Sequence, residues 1–505
     1  MKYIDTFLNS ITMYRLVLYC LRAITLCALI LSFFGYIPFE PLELIISLIV
    51  LAVACWSANV FFAKLYKVPA NKESYAITAL ILFLIISPPS SLIDVGMVFF
   101  AGVLAIASKY LLVIHKSHLF NPAAFGAFAI GLVGFANVSW WVGRPILTPL
   151  LAIAGFLIIR KIRRESLFFA FAASALTTTT LVSLFSGSTV SDALYSIIIS
   201  GTMIFFGTVM LTEPQTMPQT KRLWIIYGIL IGILFSIPLH LGSFYLTAEL
   251  SLLLGNIFAF TLYPRFRVRL SLLLKTMLSP DIYEFDFAAT EKMQFHPGQY
   301  MEWTLGHNAP DARGNRRYFT IASSPTEDAV KLGVRVASEK SSSFKNALLI
   351  LGAGDSIFAS QVAGDFILPK DKTAKLIFIA GGIGITPYRS MIKYLIDTND
   401  TRDITLFYVA GNTQDFVYED LFTEAHQKIG LKAVKVLSGA KIVPSDWSGE
   451  TGYITADMLK KHVPDYIKNQ VYLSGPNGMV TAYRQMLLKA GISPNNIKTD
   501  YFPGY

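Results

Sequence analysis

Two stretches of this chain carry residues suited to handling phosphates and flat rings. "NRRYFTIASSP" (315–325) packs two arginines, two aromatics and a hydroxyl cluster into a short segment beyond the last long apolar run. "AGGIGITP" (380–387) places glycines directly after an apolar strand and before a helical stretch. In that context a glycine-rich turn is a pyrophosphate site, because glycines let the backbone come close and the helix N-terminus offers unpaired N–H groups and a positive dipole. Glycine turns also close strand–helix units for purely structural reasons, so the neighbouring segments decide the matter. They are "SSSFKNAL" (341–348) between the two stretches, "LSGP" (473–476) ending a later strand, and the closing "TDYFPGY".

The elements that must position these residues begin after Pro264. Short β-rich runs such as "RVRLSLLL" and "KLGVRVAS" alternate with turn clusters such as "HPGQY" and "HNAPDARGN". From about 374 the pattern becomes strand, loop, helix, starting with "AKLIFIA" and "YRSMIKYLI". It continues through further strands at 404–410, 432–438 and 470–474. This predicts a β-rich subdomain followed by a parallel α/β subdomain.

The first half is different. Ten apolar runs occur at about 15–35, 42–63, 75–87, 92–108, 122–137, 145–159, 167–183, 193–211, 223–240 and 247–263. Hydrophobic residues make up 53% of the chain and charged residues 15%, which points to lipid as the solvent for this part. Basic residues follow every even-numbered run: Lys64 and Lys67, Lys109 and Lys116, Arg160 to Arg164, Lys221 and Arg222, Arg265 to Arg269. Ten spans with both termini in the cytoplasm satisfy the positive-inside rule. The same rule accounts for the net charge of +10 without nucleic acid. The three cysteines all lie near the N-terminus and form no CxxC. No disulfide framework or metal site is therefore expected, and the second half cannot by itself hold a four-cysteine iron–sulfur cluster. No cleavable signal peptide is expected.

Taken in order, the five C-terminal motifs resemble the ferredoxin–NADP reductase family of flavoproteins over about residues 265–505. The resemblance implies that Arg317, Phe319 and Thr320 form the flavin motif. Arg317 would pair with the FAD pyrophosphate, Phe319 would lie against the flavin, and Thr320 would bond near the reactive ring nitrogen. It further implies that Ser342 and Ser343 contact phosphate, and that Gly381, Gly382, Gly384, Thr386 and Pro387 form the nicotinamide-dinucleotide loop. Ser474, Gly475 and Pro476 match a motif that often begins with cysteine, so the serine leaves open how hydride transfer is tuned. Asp500 and Phe502 match an acidic-x-aromatic ending beside the flavin. NADH and NADPH both remain open. The stretch "AGNTQDF" lacks an arginine for a 2′-phosphate, which leans toward NADH.

In the first half "KSHLFNPAAFG" (116–126) and "LTEPQTMPQTKRLWIIYG" (211–228) read as one device used twice, a broken helix entry. "TAELSLLLGNIFA" (247–259) adds Glu249 and Asn256. Residues 70–262 resemble the B subunit of the sodium-pumping NADH:quinone reductase and the D subunit of the Rnf complex. That family carries FMN esterified to a threonine in S-G-A-T. "SGST" stands here, with Thr189 in the matching place and Ser183 where an aspartate is expected. Glu213, Glu249 and Asp94 are candidate intramembrane carboxylates.

The expected architecture is multi-domain: a polytopic α-helical membrane domain of about ten spans (1–263), an FAD-binding β-barrel (264–369) and an NAD(P)-binding α/β domain (370–505). The expected protein is a multi-pass flavoprotein oxidoreductase of the cell inner (cytoplasmic) membrane. It would pass electrons from NADH or NADPH through FAD to a membrane-domain FMN, a quinone or another acceptor, with ion coupling as a further option. Two alternatives stand beside it. A haem-relay ferric-reductase-like enzyme needs histidine pairs, whereas the first half has only His115, His118 and His240. A transporter or channel governed by its flavin domain would suit the broken helices.

Overall fold

The computed structural model describes residues 7–8, 11–66, 72–114, 117–132, 138–218, 220–242, 244–262, 267–307, 311, 315–336, 341–439 and 443–502. The chain divides into two compact units, Met1–Phe266 and Arg267–Tyr505.

In the first unit every apolar run becomes helix. The helices are α1 (Met13–Phe33), α2 (Pro41–Leu65), α3 (Lys72–Ile85), α4 (Leu92–Leu111), α5 (Pro122–Leu132), α6 (Thr148–Ile162), α7 (Glu165–Ser186), α8 (Val190–Ile199), α9 (Thr202–Phe205), α10 (Lys221–Ser236) and α11 (Ala248–Leu262). Among the described residues five helices are long and apolar enough to cross a membrane: Met13–Phe33, Pro41–Leu65, Leu92–Leu111, Pro145–Ile162 and Glu165–Ser186. A bent pair, Val190–Ile199 with Thr202–Met210, makes a sixth if counted as one span. The other apolar runs yield shorter helices, including Pro122–Leu132 and Ala248–Leu262. The bend comes at Gly201, which caps α9 at φ 70°, and α9 runs on into a π-helical turn, Phe206–Met210. Pro122 opens α5 at a position where a missing N–H costs nothing.

Two of the polar features have local explanations. Asp94 is half-buried and caps α4, accepting from Ser91 N at 2.9 Å while its own N–H bonds Ser91 Oγ at 3.2 Å. Thr177 and Thr180 bond back to the carbonyls of Ala173 and Leu176, each at 2.8 Å.

The second unit holds two sheets. The strands of the first are β1 (Val268–Ser279), β2 (Ile282–Ala289), β3 (Tyr300–Thr304), β4 (Arg316–Thr320), β5 (Val330–Arg335) and β6 (Ser356–Ala363). They pair antiparallel in the order β4-β3-β6-β1-β2-β5. The two outer strands meet where Ala322 N donates to Lys331 O at 2.9 Å, so the sheet curls toward closure. Its inner face is apolar, with Leu270, Phe285, Phe287, Trp303 and Leu332 all at 0% exposure. Helix α12 (Ser343–Ile350) packs Phe344 and Leu348 into that core.

The second sheet is parallel throughout. Its strands are β7 (Leu376–Gly381), β8 (Ile404–Ala410), β9 (Lys432–Leu437), β10 (Glu450–Thr451), β11 (Gln470–Pro476) and β12 (Ile497–Phe502), in the order β10-β9-β8-β7-β11-β12. Alternate residues of β7 feed two separate cores: Leu376, Phe378 and Ala380 on one face, Ile377 and Ile379 on the other. Burial on both faces explains why these strands read as unbroken apolar runs. Around the sheet lie α13 (Thr386–Asp397), α14 (Glu419–Ile429), α15 (Ala456–His462) and α16 (Asn477–Lys489).

The strand order reverses between β7 and β11. In an open parallel sheet the crevice at that reversal, at the carboxyl ends of the strands, is where ligands bind.

Candidate functional site

The crevice is built from the glycine loop upward. Strand β7 ends at Gly381, a 3-10 turn covers Gly382–Ile385, and α13 begins at Thr386 with Pro387 in its first turn. Gly382 takes φ +52°, a left-handed conformation that favours glycine. Gly384 is needed for closeness: a Cβ there would meet Ser474 O at 2.5 Å and Gly475 N at 2.7 Å, both backbone. The turn therefore lies directly on the end of β11. The parallel register sets Ala380 beside Ser474, and Ser474 beside Asp500 on β12. Gly381, Gly384, Thr386, Ser474 and Asp500 thus converge at the strand reversal. Pro476 is exposed at the rim of the crevice. The backbone of Phe502 lies in β12, while its side chain falls outside what is described.

The flavin motif lies in the same unit. Arg317 is buried on β4, and its Nη2 donates to both oxygens of Asp311, at 3.0 and 3.3 Å. Phe344 supports it, with the guanidinium carbon 5.4 Å from the ring centroid. Phe319 is half-buried and its ring lies 5.8 Å from the same Phe344. Ser342 caps α12 by accepting from Lys345 N at 3.3 Å. Ser343 N donates to Asp311 Oδ2 at 3.2 Å, and Asp311 N returns a bond to Ser343 Oγ at 2.9 Å. A carboxylate is thus gripped by one guanidinium nitrogen and the backbone N–H of a helix's first residue, donors of the kind a phosphate takes. Asp311 stands in for an external anion at this place.

Two hydroxyls at the site point the same way. Thr320 Oγ1 and Ser474 Oγ are both buried and bond to nothing among the described residues. Buried hydroxyls in folded proteins are normally satisfied, so each one left open marks a place where a polar ligand could bond. The residues present therefore fit FAD and a nicotinamide dinucleotide.

The two subdomains are locked together at this point. Arg389 of α13 pairs with Glu327, its Nη2 at 2.8 Å from Oε1, and its Nη1 donates to Ala322 O at 3.2 Å. Ser390 Oγ donates to Ser323 O at 2.6 Å. Arg335 bridges β5 to Asp415 at 2.8 Å. Gly333 of β5 is held close to Thr386, whose Cγ2 would lie 2.8 Å from a Cβ. The segment following Thr320 is therefore fixed to the helix that follows the glycine loop.

Asp500 is half-buried as a residue, and the protein around its carboxyl pushes that group up to about 7 by desolvation. The sign for stability follows from linkage. Near pH 2 the acid is protonated in both states. As pH rises to about 7 only the unfolded chain ionises, so stability falls, and above that the full penalty stands. Asp500→Asn should therefore raise the Tm much more at pH 8 than at pH 4.5. An equal gain at both pH values, read by differential scanning fluorimetry, would contradict the shift.

In the helical unit Thr189 is exposed in the turn between α7 and α8. It precedes α8 without a side-chain cap bond, directly after Gly187 at φ +69° and Ser188. Ser183 is buried nearby in sequence, its carbonyl accepting from Ser188 N at 2.9 Å. His115 lies outside the described residues, and His118 and His240 belong to two-residue strands in separate hairpins.

Sequence reasoning missed Asp311, Phe344 and the Arg389–Glu327 lock. Asp311 and Phe344 lay inside quoted segments, "HNAPDARGN" and "SSSFKNAL", but only the folded sheet brings them to Arg317.

Comparison with known proteins places this geometry in context. A family described as oxidoreductase NAD-binding domain matches residues 378–485. The reductase component DmpP of phenol 2-monooxygenase from Pseudomonas sp. (strain CF600) is 32% identical over 229 residues, covering 45% of this chain and 62% of the relative. A glycine betaine monooxygenase reductase subunit from Chromohalobacter salexigens is 25% identical over 226 residues, covering 44% and 60%. The chain thus spans less than two thirds of the length of these relatives. Among solved structures, the Amycolatopsis cytochrome P450 reductase GcoB aligns with a TM-score of 0.43 at 24% identity, covering 48% of this chain and 72% of that one. The flavohem-like FAD/NAD binding domain of nitric oxide dioxygenase from Vibrio cholerae aligns with a TM-score of 0.41 at 17% identity, covering 46% and 98%.

Proposed function

The C-terminal region being an NAD(P)H-dependent oxidoreductase module of the ferredoxin–NADP reductase type, we propose that the whole chain is a membrane-bound flavoprotein. In this reading it takes electrons from NADH through FAD and delivers them into its helical unit, to a quinone-class or similar acceptor. The observation that carries the reading is the anion seat formed by Arg317 and the first turn of α12, with Asp311 held in it. FAD, when bound, accepts a two-electron hydride and can release electrons singly.

The chain's own residues do the positioning. Arg317 and the Ser343 N–H hold the pyrophosphate, with Ser342 fixing the helix start. Phe319 and Phe344 wall the flavin side. Thr320 offers its free hydroxyl to the ring edge. Gly381, Gly382 and Gly384 admit the dinucleotide phosphates against the α13 N-terminus, with Thr386 and Pro387 shaping its first turn. Ser474, Gly475 and Pro476 would border the nicotinamide from β11, and Asp500 would face it from the adjoining strand. Asp415 stands after β8, paired with Arg335. The stretch "AGNTQDF" carries no arginine of its own, which favours NADH.

The spanning-length helices and the basic even-numbered exits support an inner-membrane location with both termini cytoplasmic. Thr189 would carry an esterified FMN: its hydroxyl is exposed and makes no cap bond. The relatives' names favour a second reading of the acceptor alone, a protein partner such as an oxygenase component.

One experiment tests the scheme. Purified full-length protein should release FAD on denaturation and oxidise NADH with ferricyanide. Its Thr189 peptide should be heavier by the mass of FMN less water. A colourless protein that binds no added FAD would refute the reading, and an unmodified peptide would remove FMN alone.

A further inference from the structure

Three stretches of the helical unit, far apart in sequence, meet in one buried polar network. Asn121, at the start of α5, donates from Nδ2 to Glu213 Oε2 at 2.8 Å. The backbone N–H of Asn121 donates to Asn256 Oδ1 on α11 at 2.8 Å. Asn256 Nδ2 donates in turn to Thr216 O at 3.3 Å and to the Tyr227 hydroxyl at 3.2 Å. Thr216 Oγ1 donates to Glu213 Oε2 at 3.3 Å. Asn121 and Asn256 are 3% and 1% exposed, so this network is sealed on the α5–α11 side.

On its other side Glu213 lines a cavity of about 40 Å³, shared with Tyr14 of α1, Ser74 and Thr78 of α3, Lys109 of α4 and Asn121. The Lys109 ammonium is fixed at the cavity wall by three acceptors: Ser74 O at 3.3 Å, Ser74 Oγ at 3.0 Å and Thr78 Oγ1 at 2.9 Å. Val209 of the π-helical turn closes the wall. A fixed cation and a fixed carboxylate therefore share one small cavity, where a broken helix start and a π turn meet. Charged side chains among spanning helices are costly and mark transport or transfer paths, and π turns recur at functional sites.

The size and charge select the occupant. The volume suits about three or four waters at roughly 10–15 Å³ each. It is too small for a quinone or flavin ring. The ammonium opposes a metal cation, and the carboxylate opposes an anion. A proton relayed through water meets neither objection.

We propose that this cavity is where protons enter the helical unit to neutralise a quinone-class acceptor as it is reduced; the proposal rests on the electron-transfer reading above. The balance is NADH → NAD⁺ + H⁺ + 2e⁻ and Q + 2e⁻ + 2H⁺ → QH₂, so NADH + H⁺ + Q → NAD⁺ + QH₂. Glu213 takes a proton from cavity water, forming an O–H bond on its carboxylate. That bond breaks as the proton passes on through water to the reduced quinone, where a new O–H bond forms, and solvent recharges the cavity. Lys109 is a positioning charge on the wall of the same cavity. The titratable groups around Glu213 are Lys109, Tyr14, and His118 at 4.0 Å, with Tyr227 linked through Asn256. The Arg15–Glu73 pair at 2.9 Å joins α1 to α3 beside Ser74, and Cys55 of α2 donates to Gly102 O at 3.7 Å.

The test uses the full chain in lipid nanodiscs with NADH and two acceptors: ferricyanide, which takes electrons without protons, and a long-tailed quinone. Glu213→Gln and Lys109→Met should each lower the quinone rate roughly tenfold or more. Both should leave the ferricyanide rate unchanged. Glu213→Gln should also enlarge the solvent deuterium isotope effect, and Glu213→Asp should restore most of the quinone rate. Quinone rates equal to wild type in both variants would overturn the proposal. A wild-type chain that reduces ferricyanide but no quinone would also overturn it, leaving the flavin reading intact. A wild-type chain inert with both acceptors would bring down the flavin reading itself.

Discussion

Arg317→Ala is expected to leave a folded chain that purifies without its FAD. The guanidinium is buried, and its Nη2 holds a carboxylate together with the Ser343 N–H. Truncating one partner of a buried, hydrogen-bonded charge pair costs about 2–5 kcal/mol. FAD affinity should therefore fall by roughly 30- to several thousand-fold, read by equilibrium dialysis of the flavin-stripped protein. The obvious rival is that Arg317 serves only to hold Asp311. Asp311→Ala separates the two. If Arg317 serves the pyrophosphate, removing the internal carboxylate frees the seat, and FAD binds at least as tightly as in the wild type. If Arg317 serves only Asp311, the two variants should lose FAD alike.

Gly384→Ala should strike the nucleotide and spare the flavin. The added methyl would meet backbone atoms of β11, Ser474 O at 2.5 Å and Gly475 Cα at 2.7 Å, and neither can rotate away. The turn Gly382–Ile385 would have to lift off the strand end and carry the α13 N-terminus with it. A misplacement of about 1 Å in a positioning element costs roughly 10²-fold in rate. Flavin reduction by NADH, followed by stopped flow at 450 nm, should slow by about that factor, roughly 10²-fold, while the bound FAD spectrum stays as in the wild type. An unchanged rate would show that the turn does not approach the dinucleotide.

Much of this architecture was legible in the chain. Each apolar run of the first half became helix, because long uninterrupted apolar segments without turn residues have few other ways to satisfy their backbone. The parallel strands were legible as apolar runs separated by helical stretches, and the glycine loop followed from its place between β7 and α13. Span counts were harder, since α5 and α11 are shorter than a crossing helix and their length does not decide whether they cross. The carboxylate in the Arg317 seat was not legible at all. Asp311 sits in a turn cluster whose composition signals only a bend, and its partner Ser343 lies two strands further on. The same holds for Asn121, Glu213 and Asn256. Each stood out alone as a polar residue in an apolar setting, but no periodicity relates positions on three separate helical segments.

The strand order of the nucleotide sheet carries a consequence for how the chain comes to be assembled. Strand β7 is laid down first, yet it ends between β8 and β11, and β11 emerges only after three further strands and three helices. During synthesis one flank of β7 stays bare until the ribosome has nearly finished, an exposed ladder edge of the kind that invites wrong pairings. The antiparallel sheet before it has no such wait, since all six of its strands are complete before β7 begins. Maturation should therefore run in order along the polypeptide, with the cradle for the phosphates of FAD preceding the crevice for the pyridine nucleotide. Early capture of FAD would give the late-closing half a finished wall to build against.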